Sequence, residues 1–256
     1  MRKAYQRILV GMVLGFLVAG CAGVSADSAT RGQTDLYLLA GQSNMAGRGI
    51  LTEANRIDLS GVRMLTASNG WVSATEPIHF DKPWCAGAGL GASFAAEMRA
   101  ADKSRTVGLV PSAMGGTKIE EWRPGGQLFR DAVARMKTAQ EVSGGRLRAI
   151  LWHQGESDCK EELIAAYPKR LRTLVAEFRK ALGADVPFVA GELGRQLGNA
   201  DKFNAMLRRT LGEIPNSACV PSEGLSQDAD KLHFNTQSLR TFGRRYAEAV
   251  LKLEAK

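Results

Sequence analysis

The sequence predicts an α/β fold, a three-layer α/β/α sandwich with about five parallel strands between two helical layers. Two observations predict it. Short continuous apolar runs, the pattern of strands buried on both faces, recur at residues 35–40, 106–110, 147–152, 187–191 and 218–220. Between them, at 90–101, 128–142, 168–182, 201–212 and 236–253, apolar residues repeat every three or four positions, as on a helix with one buried face. Strands alternating with amphipathic helices argue for a doubly wound parallel sheet.

Ahead of the first strand, Arg2, Lys3 and Arg7 precede an apolar run from Ile8 to Ala19 and then small residues. This is the composition of an export leader, and the run is too short to span a bilayer comfortably. It ends Leu17-Val18-Ala19-Gly20-Cys21, which resembles the bacterial lipobox; that resemblance implies a lipid on Cys21, which becomes the mature N terminus. The expected organisation is a leader over 1–20, a small polar tether over 21–33 and one domain over 34–256. The chain length of 256 residues leaves no room for a second full domain. The expected location is the bacterial cell envelope, on the periplasmic or surface side, with the lipid as the membrane contact.

The strand at 35–40 ends in Gly41, which signals a turn. From Met45 to Gly89 the alternation breaks: this segment is long and rich in Gly, Asn, Asp and Pro, and reads as an insertion beside the first strand. Within it, Ser68-Asn69-Gly70 between residues 62–66 and 71–72 predicts a small hairpin. Residues 87–92 match G-x-G-x-x-A, but no strand precedes them, so they read as a glycine-rich entry to the 90–101 helix rather than a nucleotide loop. In the helix over 168–182, Leu171, Leu174, Val175, Phe178 and Leu182 fall on one face, and Pro168 suits its first turn.

The formal charge is +8. Loss of the three leader cations lowers it to about +5, and no dense Lys/Arg block with interleaved aromatics stands out, so a nucleic-acid partner has no support. Such a surface attracts acidic glycans or anionic envelope surfaces only weakly. Besides Cys21 the chain carries Cys85, Cys159 and Cys219, which in an exported compartment permits one disulfide and one leftover thiol. Three pairings are open. No C-x-x-C pair suggests a structural zinc site.

Ligands of an open parallel sheet bind beyond the carboxyl ends of the strands. The first strand leaves Gly41-Gln42-Ser43 there, a serine able to sit on a tight turn with its hydroxyl exposed and its N–H aimed at an oxyanion. The 106–110 strand leaves Ala113-Met114-Gly115-Gly116-Thr117, whose glycines allow close backbone approach and a second N–H donor. The 147–152 strand leaves His153-Gln154-Gly155-Glu156-Ser157-Asp158, too polar for a packed core. Gln154 there could supply a side-chain donor to the oxyanion. Metal binding by His153, Glu156 and Asp158 is the rival reading, disfavoured because no second histidine stands at helical spacing. After the last strand, Asp230 and His233 share one loop, so that the carboxylate could hold Nδ1–H while Nε2 faces a serine.

In combination, Leu39-Ala40-Gly41-Gln42-Ser43-Asn44-Met45-Ala46-Gly47, Ala113-Met114-Gly115-Gly116-Thr117, Trp152-His153-Gln154-Gly155-Glu156-Ser157-Asp158 and Asp230-x-x-His233-Phe234 resemble the carbohydrate acetylesterase branch of the SGNH hydrolases, which includes sialate O-acetylesterases and acetylxylan esterases. The resemblance spans nearly all of the chain from Asp35 onward. It implies a flavodoxin-like fold and hydrolysis of O-acetyl esters on a carbohydrate without cofactor or metal. Ser43 is then the nucleophile, His233 the base and Asp230 its orienter. The implied oxyanion hole is the Ser43 N–H, a Gly115 or Gly116 N–H and the Gln154 side chain, with Glu156 supporting the loop or His233. The broader superfamily has Gly-Asp-Ser in the first block and asparagine in the third, where this chain has Gln154. Trp71, Trp84 and Trp122 are candidates for stacking on sugar faces. A silent carbohydrate-binding lipoprotein and a lipase or thioesterase of the same fold are the alternatives.

Overall fold

The structure, a computed structural model, describes residues 34–255. The leader, Cys21 and the tether lie outside the described residues. Seven strands form one sheet: β1 (Thr34–Gly41), β2 (Val62–Leu65), β3 (Trp71–Ser73), β4 (Thr106–Pro111), β5 (Arg146–His153), β6 (Phe188–Gly191) and β7 (Ser217–Val220). Their order is β3-β2-β4-β1-β5-β6-β7. Every neighbouring pair is parallel except β2 with β3. The sheet thus has seven strands rather than the five expected. The difference is the hairpin of the insertion: β2 and β3 pair with each other, and β2 then adds to the edge at β4.

The helices are α1 (Ser43–Ala46), α2 (Leu90–Ala101), α3 (Gln127–Ser143), α4 (Glu161–Ile164), α5 (Tyr167–Leu182), α6 (Ala200–Gly212) and α7 (Thr236–Glu254), with three single 3₁₀ turns between them. The five long ones coincide with the periodic stretches to within a residue or two. Side chains alternate across each strand and so feed two cores. Leu36, Leu38, Ala40, Ile150 and Trp152 pack under α3, α5 and α6. Tyr37, Leu39, Ala149 and Leu151 pack under α2 and α7. Phe178 of α5 and Phe94 of α2 are completely buried, each burial contributing on the order of 2 kcal/mol. α7 begins at Asn235, whose side chain accepts the Ser238 N–H.

β1 connects through the insertion and α2 to β4 on one side, while β5, β6 and β7 follow on the other. That reversal leaves a crevice beyond the carboxyl ends of β1 and β5, where an open α/β sheet binds ligands. The permitted disulfide is not formed: Cys85, Cys159 and Cys219 are all free, lying respectively on the exposed insertion, after the β5 turn and on edge strand β7. Among the described residues no helix is long and apolar enough to cross a membrane.

Candidate active site

At the end of β1 the chain passes very close to β5. A Cβ on Gly41 would lie 2.1 Å from the His153 carbonyl oxygen, and its φ of +128° is one that L side chains rarely adopt. Only glycine fits here, and the Gln42 N–H donates to the same carbonyl at 2.8 Å. The backbone then enters α1, with Ser43 as its first residue. The Ser43 Oγ stands 3.0 Å from His233 Nε2.

His233 and Asp230 lie on the loop between β7 and α7. Asp230 Oδ1 accepts the N–H groups of Leu232 and His233, both at 2.9 Å, and Oδ2 lies 2.6 Å from His233 Nδ1. Partial burial pushes the Asp230 carboxyl up, but these hydrogen bonds and the imidazole outweigh it and hold it below the usual carboxylate range. An ionised carboxylate only accepts, so Nδ1–H donates to Asp230 and Nε2 is the ring nitrogen that faces the serine. Asp230, His233 and Ser43 therefore form one hydrogen-bonded line.

The loop is pinned from below. Phe234 is fully buried against Phe242 and His153, and its N–H donates to Asn44 Oδ1 at 3.0 Å. Asn44 Nδ2 donates to the Leu232 carbonyl at 3.2 Å and to Glu156 Oε1 at 2.5 Å. Glu156 lies 3.3 Å from His153 Nε2. Burial raises the Glu156 carboxyl, but His153 and Asn44 prevail and keep it below the usual range. Of the two supporting roles open to Glu156, the contacts favour holding the loop, through Asn44.

The two glycines divide. Gly115 N–H donates to Asp81 Oδ2 at 2.9 Å, and Asp81 is paired with the nearly buried Arg48 at 2.6 Å. Burial raises the Asp81 carboxyl, and Arg48 and the Gly115 N–H more than offset this. Gly116 faces the cavity, with a Cβ there meeting only the Lys82 Nζ, at 3.7 Å. Gln154 turns inward: its Nε2 donates to Gln42 Oε1, the Thr117 carbonyl and Asp158 Oδ2 at 2.7–3.0 Å, which occupies both N–H groups. Burial pushes the Asp158 carboxyl up. Asp158 thus faces Gln154 and the Ile119 N–H rather than joining His153 and Glu156 around a metal.

Ser43, His233, Gly115, Gly116 and Glu156 line one cavity of about 580 Å³, together with Gln42, Arg48, Lys82 and Trp84. Of the three tryptophans, Trp84 is 82% exposed at this rim. Trp122 is fully buried, donating to Thr117 Oγ1, and Trp71 lies over Gly108 at the sheet edge. Sequence reasoning missed Asn44 as the loop's anchor and the Arg48–Asp81 pair. The only signal for the former was its place beside Ser43; the latter pair is 33 residues apart within irregular backbone.

This geometry has relatives. A probable carbohydrate esterase of Arabidopsis thaliana is 31% identical over 237 residues, 84% of this chain and 90% of that protein. The X-ray structure of an Arabidopsis thaliana protein superposes with a TM-score of 0.78 at 30% identity, covering 86% of this chain and 98% of the other. The crystal structure of NanS gives 0.71 at 16% identity over 87% and 98%, and the carbohydrate acetylesterase XAC1771 from Xanthomonas citri gives 0.64 at 20% over 86% and 56%; these two share the fold. The profile of the family described as carbohydrate esterase, sialic acid-specific acetylesterase, matches residues 33–252. With that match over almost the whole domain, the chain belongs to the sialic acid-specific acetylesterase family of carbohydrate esterases.

Proposed function

We propose that the protein is a serine esterase that removes acetyl groups from carbohydrate hydroxyls, with Ser43 as nucleophile, His233 as general base and acid, and Asp230 orienting His233. The observation that carries this reading is the hydrogen-bonded line Asp230–His233–Ser43, opening into a cavity. Ser43 Oγ bonds to the ester carbonyl carbon while its proton passes to His233 Nε2. The carbonyl π pair becomes an oxyanion, received by the main-chain N–H groups of Ser43 and Gly116. As the carbonyl re-forms, the sugar oxygen leaves and takes the proton from His233, and acetyl remains on Ser43. Water then repeats the cycle and releases acetate.

The polar groups of Gln42, Arg48, Lys82 and Ser157 in the lining suit a short acyl group on a polar alcohol. A lipase or thioesterase needs a long apolar groove. The test is hydrolysis of a series of acyl esters and acetylated sugars by the soluble domain. Activity is expected to fall steeply beyond acetyl, and Ser43→Ala or His233→Ala to lower kcat by about 10⁴-fold or more. Equal rates for acetyl and long-chain esters would favour the lipase reading. Turnover that survives Ser43→Ala would remove Ser43 from the reaction.

A further inference from the structure

The insertion reaches the reaction centre through one buried ion pair. Arg48 follows Gly47, the residue that closes the helix begun at Ser43. Its guanidinium donates to the Gly47 carbonyl at 2.8 Å through Nη1 and to Asp81 Oδ2 at 2.6 Å through Nη2, with Nη1 3.4 Å from Oδ1. Side-chain exposure is 7% for Arg48 and 1% for Asp81, so solvent and salt screen neither charge well. Asp81 Oδ2 also accepts the Gly115 N–H at 2.9 Å. The pair therefore ties the end of the nucleophile's helix to the turn after β4 that carries Gly116. Gly115 is packed onto it: a Cβ there would lie 2.5 Å from Arg48 Nη2, 3.0 Å from Asp81 Oδ2 and 3.5 Å from the Ser43 Cβ. Both charges thus stand beside the nucleophile. Arg48 is part of the cavity lining, whereas Asp81 is hidden from solvent.

We infer that Arg48 and Asp81 are positioning residues that act on the oxyanion through the turn carrying Gly115 and Gly116. Asp81 captures the Gly115 N–H and so fixes the turn with Gly116 facing the cavity. Arg48 cancels the Asp81 charge, which would otherwise repel the anion developing on the substrate a short distance away. Neither side chain needs to touch the reacting atoms. The two roles are separable, because holding the Gly115 N–H requires only an oxygen at position 81, and Arg48 is required only while that oxygen is charged. An asparagine at 81 supplies the oxygen without the charge and should make Arg48 largely dispensable for the chemical step.

This inference rests on the serine-esterase reading, and the experiment separates the two. A double-variant cycle is measured on a small aryl acetate, which has no sugar to recognise, in mildly alkaline buffer. Arg48→Met leaves a bare carboxylate beside the oxyanion and is expected to lower kcat about 100-fold or more, with KM within a few-fold of wild type. Asp81→Asn is expected to stay within about tenfold of wild-type kcat. Arg48→Met combined with Asp81→Asn should regain at least about tenfold in kcat over Arg48→Met alone. Affinity for phenylboronic acid, which forms a tetrahedral anion on a nucleophilic serine, should follow kcat through the series. A double variant as slow as Arg48→Met overturns the inference, because Arg48 then acts on the substrate itself. A folded Arg48→Met with wild-type kcat overturns it as well. Should Arg48→Met fail to fold, a structure of the wild-type domain with phenylboronic acid on Ser43 decides: Gly116 N is expected about 3 Å from a boronate oxygen, with Gly115 N still on Asp81. A Gly115 N turned to the boronate, or an Arg48 nitrogen bonded to it, contradicts the assignment. Folded wild type with neither esterase turnover nor a boronate adduct would instead remove the esterase reading, and this inference with it.

Discussion

Asn44 follows Ser43 in the chain and hydrogen-bonds across to the segment that carries His233. Its carbonyl oxygen accepts from the Phe234 N–H and its NH₂ donates to Leu232 and Glu156, so one amide sets the spacing between nucleophile and base. Asn44→Ala leaves a buried N–H and a buried carboxylate without their partner. Its expected effect is a loss of about 1–3 kcal/mol in unfolding free energy, read by urea denaturation. At least a tenfold fall in kcat should accompany it, because the 3.0 Å contact of His233 with Ser43 depends on the loop's position. Unchanged kcat would show that the loop holds itself. The residues of the line from Asp230 to Ser43 stood out in the sequence because Ser43 closely follows an apolar run and Asp230 and His233 share the loop after the last one. The inward turn of Gln154 was not legible. Two glutamines 112 residues apart look alike in sequence, and only the fixed donors of Gly155 and Ser157 and the fixed acceptor of Thr117 decide which one faces the cavity.

At the level of elements, the five parallel strands and five long helices were readable because burial on both faces, or on one face, imposes its own hydrophobic period. The hairpin was readable from its turn, but its membership of the sheet was not. β3 is only three residues long, half-buried at Trp71 and exposed at Val72 and Ser73, so it carries no apolar run. The insertion is also where substrate selection is expected to reside, since it brings Arg48, Lys82 and Trp84 to the cavity. An exposed indole at the rim offers a flat face to a sugar ring. Trp84→Ala is therefore expected to raise KM for acetylated glycans about five- to tenfold while leaving hydrolysis of a small aryl acetate within twofold. Equal losses on both substrates would assign Trp84 to the scaffold instead.

Across the whole molecule, the same insertion makes stability depend on pH. His79 is buried there, and burial lowers its pKa from 6.5 to about 4, against the opposing influence of Asp81. Arg48 and Arg135 push in the same direction as burial. Between those two values the unfolded chain binds a proton that the folded protein does not. The stabilisation is complete above about pH 6.5 and declines as pH falls toward 4, by on the order of 2–3 kcal/mol. The depressed carboxylates Asp81, Glu156 and Asp230 add their own loss at still lower pH. His79→Gln should flatten the decline between pH 7 and 4.5, measured by urea midpoints. An unchanged slope would place its origin elsewhere.

Acyl transfer through Ser43 requires an acetyl-serine intermediate, which can be trapped. The soluble domain is mixed with a short acetyl ester, quenched in acid within the first turnovers, digested and examined by mass spectrometry. One acetyl group is expected on the peptide containing Ser43, absent after Ser43→Ala and strongly reduced after His233→Ala. Rapid acetate release with no acetyl on that peptide, or an acetyl carried by another residue, would contradict it.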